Sequence, residues 1–312
     1  MKQTILVTGG TGFIGSHITD VLIEAGHDVV VVDNLSAGVR EHVNGKATFH
    51  CFDIRERDRL YALCESEKFA AVFHEAAQTM VPYSQAHPQA DADENIMGLL
   101  SVLESARKTG VKRIVFSSSA AVYGDNTAVP LKEDEPAAPT SFYGLSKVVS
   151  EQYLQMYYKV FGLEYVILRY ANVYGERQGS RGEGGVISIF AKAVAEGRDI
   201  TIYGDGEQTR DFVYVKDVAQ ANLAALHADV KPGIYNISTA VETTVNALKE
   251  ILLYLSGRAA AVRYEDKRDG DIVRSALANG KAGEFLRWRP QKKLMPGLTA
   301  TYAYFAQEVA RE

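Results

Sequence analysis

Three glycines, Gly9, Gly12 and Gly15, stand three residues apart in Thr8-Gly9-Gly10-Thr11-Gly12-Phe13-Ile14-Gly15. The β-branched run Thr4–Thr8 precedes them, and Ile14, Ile18, Val21, Leu22 and Ala25 follow at helical spacing until Gly26 offers a stop. Glycines at a strand–turn–helix junction permit a tight turn, and they let backbone approach a pyrophosphate resting on the helix N-terminus. The competing reading is a glycine-rich turn with no ligand. The next strand-like run, Val29–Asp33, ends on an acid, which the dinucleotide reading requires and the bare turn does not. Asp33 can accept from both ribose hydroxyls and would repel a 2′-phosphate, so NAD is expected over NADP despite Arg40 downstream. Asp53, after the third run, reads equally as a contact to the adenine edge or as a helix cap before Glu56.

Further apolar runs at Thr48–Phe52, Ala71–His74, Arg113–Ser117 and Tyr165–Arg169 alternate with helical patterns. Strands this apolar need helices on both faces, so the fold class is α/β with a doubly wound parallel sheet. Beyond Tyr170 the pattern loosens. Gly175–Gly185 reads as a mobile loop, Val186–Glu196 as a helix, and Ile200–Tyr203, Phe212–Val215 and Ile234–Ile237 as strands. The organisation expected is a Rossmann-type NAD-binding domain over residues 1–170, with returns near 211–240. A smaller mixed α/β lobe for substrate takes 171–210 and 241–312.

A net charge of -5, with Lys and Arg scattered, argues against nucleic acid or an anionic membrane as the main partner. No apolar stretch approaches the roughly 20 residues that span a bilayer. The start, Met1-Lys2, runs straight into a strand pattern without the apolar core of a signal peptide. Cys51 and Cys64 are too few for a disulfide framework. The chain is expected in the cytoplasm. No metal site is expected, since the seven histidines lack paired ligand spacing.

Tyr143-Gly144-Leu145-Ser146-Lys147 opens a helical pattern and puts Tyr143 and Lys147 on one face. An ammonium beside a phenol favours the phenolate, and moving a tyrosine from about 10 to neutrality asks about 4 kcal/mol of its surroundings. In a chain with 17 tyrosines such a pair can arise by chance as a surface contact. What distinguishes it is Phe116-Ser117-Ser118-Ser119 upstream, at the end of an expected sheet strand, where ligands bind in parallel sheets.

The glycine run with Ser16 and His17, Asp33-Asn34-Leu35-Ser36, Ser117-Ser118-Ser119-Ala120-Ala121-Val122-Tyr123-Gly124 and Tyr143-x-x-x-Lys147 occur in this order. Arg169-Tyr170-Ala171-Asn172-Val173-Tyr174-Gly175 and Tyr203-Gly204-Asp205-Gly206 follow. Together they resemble the UDP-glucose 4-epimerase family of extended short-chain dehydrogenases, over essentially the whole chain. The resemblance implies that Ser119, Tyr143 and Lys147 are catalytic. It implies NAD contacts at Phe13, Ile14, Asp33, Asn34, Leu35, Ser36, Asp53, Ile54, Ala76, Ala77, Gln78, Asn95, Tyr143 and Lys147; those at 76–78 lie in a Glu75–Thr79 segment that departs from the family by lacking a lysine near Thr79.

Related dehydratases carry an Asp-Glu pair after the catalytic hydroxyl residue, and here Ala120 and Ala121 stand there and cannot move protons. Epimerisation follows: Tyr143 takes the proton of the sugar's 4-hydroxyl, a 4-keto sugar turns about its diphosphate linkage, and reduction on the other face completes the inversion. For the UDP-sugar the resemblance implies Asn172, Val186, Thr201, Arg210, Arg268 and Asp271, the arginines suiting a diphosphate. Ser275 aligns with the position where a bulky tyrosine narrows the sugar pocket, so both UDP-Glc/Gal and UDP-GlcNAc/GalNAc are expected as substrates. The helices around Ala92–Lys108 and Leu145–Phe161 match those that pair in a homodimer. The alternatives are another C4-oxidising enzyme, such as a UDP-glucuronate epimerase or decarboxylase, and a noncatalytic NAD-binding sensor.

Overall fold

The computed structural model describes residues 2–179, 184–257, 260–267 and 272–311. Arg268 and Asp271, expected at the substrate, lie outside these, as do residues 180–183 of the expected loop.

Seven strands form one parallel sheet: β1 (Thr4–Thr8), β2 (Asp28–Asp33), β3 (Thr48–Cys51), β4 (Ala71–His74), β5 (Arg113–Ser119), β6 (Glu164–Tyr170) and, after four short strands, β11 (Gly233–Ile237). Their order is β11-β6-β5-β4-β1-β2-β3. Alternation along β1 explains the two helical layers. Ile5 and Val7 point into a core with Ile18 and Leu22 of helix α1 (Phe13–Glu24), whereas Leu6 points into another core. That second core holds Leu60 of α2 (Arg57–Glu67) and Leu99 and Leu103 of α5 (Gly98–Thr109). Two short helices, α3 (Val81–Ala86) and α4 (Pro88–Ala92), lead into α5, and α6 (Phe142–Phe161) follows β5.

β5 runs to Ser119, two residues past its expected end, because Ser117, Ser118 and Ser119 keep register with Leu168, Arg169 and Tyr170 of β6. Polar side chains inside a sheet need partners, and here they have them: Ser117 donates to Glu75, and Ser118 to Glu151 at 2.6 Å. The expected strand Phe212–Val215 is shorter and lies outside the seven-stranded sheet. β10 (Phe212–Tyr214) ends one residue early because Val215 already begins α8 (Val215–Ala225), which packs against α1.

The remaining pieces make a smaller mixed layer. β7 (Asn172–Tyr174) pairs in parallel with β10, β8 (Ile200–Tyr203) in parallel with β13 (Val262–Glu265), and β9 (Thr209–Arg210) antiparallel with β12 (Thr243–Thr244). Around them α7 (Val186–Ala195), α9 (Val245–Ser256) and α10 (Leu294–Arg311) bury Phe190, Leu248 and Phe305 in a third core. Among the described residues no helix is long and apolar enough to cross a membrane. All seven main strands end on the same side, and the strand order reverses between β1 and β4. Sheets of this kind open their ligand crevice at that point.

Candidate active site

The glycine turn is fitted to a close approach. Gly9 has φ +71, and a Cβ there would lie 2.5 Å from the Ala76 nitrogen. A Cβ on Gly15 would lie 2.2 Å from the Gly9 carbonyl oxygen, so only glycine lets the first turn of α1 sit so near the loop. Gly12 is the residue before α1, and no side chain caps the helix, which leaves its N-terminus facing the crevice. At the floor, Asp33 Oδ2 accepts from Thr11 N at 3.1 Å and Oδ1 from Leu35 N at 2.8 Å, fixing the carboxylate at the end of β2.

An open cleft runs from this turn, walled by Gly9, Gly12, Asp33, Asn34, Ser36, Asp53, Ile54, Ala76 and Ala77. An extended dinucleotide fits such a wall: bare backbone for a pyrophosphate, an anchored carboxylate for a ribose, small alanines opposite. Phe13 and Ile14 turn their side chains into protein, Phe13 edge-on to His17 and Ile14 against the sheet core, so what they can offer a ligand is backbone.

Asp53 does not cap a helix, since α2 begins at Arg57 after Glu56. Its carboxylate instead accepts from Arg55 N and Nε, both at 2.9 Å, from Arg55 Nη2 at 2.8 Å, and from Asn34 Nδ2 at 3.0 Å. Those bonds, that to the Arg55 guanidinium first, hold its carboxyl down to about 2. Arg55 reaches on to Asp93 at 2.5 Å and lines the cleft. Sequence reasoning missed Arg55, for which the only signal was its place two residues after Asp53.

Gln78 and Asn95 brace the loop after β4. Asn95 Oδ1 accepts from Gln78 N at 2.8 Å, and Asn95 Nδ2 donates to the Gln78 carbonyl at 3.0 Å and to Ser146 Oγ at 3.0 Å. Gln78 Nε2 donates to Asp91 at 2.6 Å. The Asn95 amide therefore ties the cleft wall to α6, and the Gln78 amide ties it to α4.

Ser119 closes β5, and its Oγ accepts from Ala121 N at 3.2 Å in a short turn over Ala120–Tyr123. Ser141 caps α6, accepting from Gly144 N at 3.0 Å, and so sets Tyr143 in the first turn. A Cβ on Gly144 would lie 2.6 Å from the Ala121 carbonyl oxygen. Backbone of the first turn of α6 thus meets backbone of the short turn that follows Ser119.

One turn on, buried Lys147 donates from Nζ to the Ser117 carbonyl at 2.9 Å, and Nζ lies 5.7 Å from the centre of the Tyr143 ring. Burial pushes Lys147 down to about 8, against the pull of Glu75, Asp91 and Glu151. Burial likewise pushes Glu75 up to about 7 and His74 down to about 3. His74 is neutral near pH 7, stacked on Phe116 and bonded to Thr8 Oγ1 at 2.7 Å.

Of the expected substrate residues, Asn172 begins β7 two residues beyond Tyr170, the sheet partner of Ser119. Val186 opens α7, and Thr201 lies in β8 opposite Arg263. Arg210 Nη1 donates to the Thr209 and Ile272 carbonyls at 2.8 Å. Ser275 precedes a stretch clipped to the main body, where Leu131 N donates to Ala276 O at 2.9 Å and Ala278 N to Leu131 O at 2.8 Å. Contacts among the described residues join Tyr143, Lys147 and the end of β5, but they do not tie Thr201, Arg210 or Ser275 to that group.

The sequence model of the NAD dependent epimerase/dehydratase family matches residues 5–238, which hold the whole parallel sheet except the start of β1 together with the Tyr143–Lys147 helix. The chain belongs to this family. With family membership comes NAD as the cofactor. The Thermotoga maritima UDP-glucose 4-epimerase, solved with UDP-glucose, is 43% identical with a TM-score of 0.96, the match covering 98% of this chain and 99% of that one. The Thermus thermophilus UDP-glucose 4-epimerase in complex with NAD is 38% identical, TM-score 0.91, over 97% and 98% of the two chains. A UDP-N-acetylglucosamine 4-epimerase from Methanobrevibacter ruminantium, in complex with UDP-N-acetylmuramic acid, is 37% identical, TM-score 0.94, over 99% and 100%.

Proposed function

We infer that this family member is an NAD-dependent 4-epimerase of UDP-sugars. The observation that carries the reading is Tyr143 beside buried Lys147 at the mouth of β5, with Ala120 and Ala121 following Ser119. A phenol paired with an ammonium can take and return one proton at a sugar hydroxyl. Alanines next to it supply no second acid–base pair for loss of water. The likeness to full-length 4-epimerases supports the same choice.

Bound NAD supplies reversible two-electron oxidation at the sugar carbon. The chain does the rest. Gly9, Gly12 and Gly15 bring backbone and the α1 N-terminus to the pyrophosphate, and Asp33 accepts from the adenosine ribose. Asn34, Leu35, Ser36, Asp53 and Ile54 flank that ribose and the adenine, while Ala76, Ala77 and Gln78, braced by Asn95, wall the cofactor's other end. Tyr143 accepts the 4-hydroxyl proton and later gives it back. Ser119 Oγ orients that oxygen, and the Lys147 ammonium favours the phenolate.

Asn172, Val186, Thr201, Arg210, Arg268 and Asp271 are assigned to the UDP moiety and Ser275 to the sugar. A small Ser275 leaves room for a 2-acetamido group, so UDP-GlcNAc/GalNAc should be turned over beside UDP-Glc/Gal. We assign residues 1–170 and the returns near 211–240 to the NAD domain, and 171–210 and 241–312 to the nucleotide-sugar lobe. Support for a homodimer comes from α6, which leaves Leu145, Met156, Val160 and Phe161 exposed along one long helix. The reading places the enzyme in the cytoplasm.

The test is a panel of UDP-sugars given to purified protein without added NAD, with epimer ratios read by NMR. Interconversion of C4 epimers is expected. Carbon dioxide or a deoxy-keto product would refute the assignment. Tyr143→Phe should abolish turnover while NAD stays bound, and full residual activity would remove Tyr143 from the chemistry.

A further inference from the structure

Behind Lys147 runs a line of hydrogen bonds that the chemistry above does not use. On α8, Asn222 Nδ2 donates to Tyr170 Oη at 2.7 Å and to the Val218 carbonyl at 2.9 Å. A carbonyl only accepts, so Val218 fixes which end of the amide faces Tyr170. Tyr170 Oη, already an acceptor there, has its proton for Ser117 Oγ at 2.8 Å, and the Ser117 hydroxyl donates to Glu75. Every donor points the same way. Asn222, Tyr170 and Ser117 are buried, and the line ends on a carboxylate in the acceptor role that its ionised form fills with either oxygen.

Ser117 also joins Glu75 to Lys147, because the residue whose hydroxyl meets Glu75 offers its carbonyl to Lys147 Nζ. The other charges around Lys147 are committed elsewhere. Glu151, one turn along α6, is held by both forks of Arg169 at 2.9 and 2.6 Å. Asp91 on α4 accepts from the Gln78 and Asn95 amides at 2.6 and 3.2 Å. His74 at the end of β4 is neutral near pH 7, and Tyr143 lies on Lys147's own helix. Lys147 is the cation acting on Glu75 among the described residues, and Glu75 lines the cleft.

We propose that Glu75 is a positioning residue for proton transfer: the Asn222–Tyr170–Ser117 line holds it as an anion, and it keeps the buried Lys147 ammonium charged and directed into the cleft. This rests on the reading of Tyr143 and Lys147 given above. Burial opposes both charges, so each ion persists near neutrality through its partner. Losing the anion would let the ammonium discharge within the working pH range, and Tyr143 would lose the cation that supports its phenolate.

The experiment follows the Lys147 side-chain nitrogen resonance in isotope-labelled, NAD-loaded protein as pH is raised, assigned by its loss in Lys147→Met. Glu75→Gln should lower the midpoint by about one pH unit, or about tenfold in the acid constant. The alkaline limb of kcat should move down with it while KM for the UDP-sugar stays put. Glu75→Asp should restore most of the shift, and Ser117→Ala, which keeps the Lys147 carbonyl contact, should move the midpoint the same way by less. An unmoved midpoint in folded, NAD-retaining Glu75→Gln protein, with Tyr143→Phe still inactive, overturns the proposal alone. Full turnover by Tyr143→Phe overturns it together with the site reading beneath it.

Discussion

Removing one partner of the buried Arg169–Glu151 pair should be the most costly single change near the Ser117–Ser119 end of β5. The two side chains are 5% and 4% exposed, and Arg169 grips the carboxylate with Nε at 2.9 Å and Nη2 at 2.6 Å. Arg169→Met leaves the Glu151 charge buried with one remaining donor, Ser118 Oγ. Stranding a buried charge costs about 3–5 kcal/mol, which is about two to four powers of ten in the unfolding constant. Replacing both partners, Arg169→Met with Glu151→Leu, removes the stranded charge and should recover most of that loss. Some deficit should remain, because Arg169 also lies 4.8 Å over the Tyr123 ring and donates to the Glu133 carbonyl at 3.3 Å. Urea unfolding at saturating NAD reads the difference through Trp288, the only tryptophan, buried with its Nε1 bonded to the Asp217 carbonyl at 2.8 Å. Turnover should fall as well, since Glu151 anchors Ser118 next to Ser119. A single variant within roughly 1 kcal/mol of the parent, no more than an ordinary substitution costs, would refute the argument. So would a double variant as unstable as the single one.

Gly15→Ala should release NAD, read by the cofactor's absorbance after gel filtration, because its Cβ has no room 2.2 Å from the Gly9 carbonyl. Ser275→Tyr should lower the rate on 2-acetamido sugars relative to plain hexoses, measured by competing UDP-GlcNAc against UDP-Glc; unchanged relative rates would remove Ser275 from the pocket. Met156→Lys, at a 53% exposed position on α6, should shift sedimentation from dimer to monomer while leaving the monomer's fold intact by circular dichroism; an unchanged sedimentation coefficient would remove that face from the dimer.

Much of the architecture could be read from local pattern. The Thr4–Thr8 strand, the glycine turn and Asp33 are contiguous signals, and their geometry is close to what the spacing demands. Strand ends were less legible. Ser117–Ser119 look like a polar exit from the sheet, yet they stay in register because Glu75 and Glu151 satisfy them, and those partners lie 42 and 33 residues away. Asp53 shows the same limit. Whether it caps a helix or faces the cleft depends on Arg55 turning back onto it, which no periodicity encodes. The Asn222–Tyr170–Ser117–Glu75 line joins three strands or their ends to a distant helix, so it is invisible until the sheet order is known.

The contact of Gly144 with the Ala121 carbonyl has a consequence for how such an enzyme can diverge. Main chain of α6 packs there on main chain of the Ala120–Tyr123 turn, and on the proposed roles of Tyr143 and Ser119 that contact sets the spacing between the proton carrier and the hydroxyl that steers the sugar. Side chains lining the sugar can therefore change in bulk or polarity without retuning the reaction. A lineage built on this joint is free to explore new sugars one wall residue at a time, with the chemistry carried along unchanged.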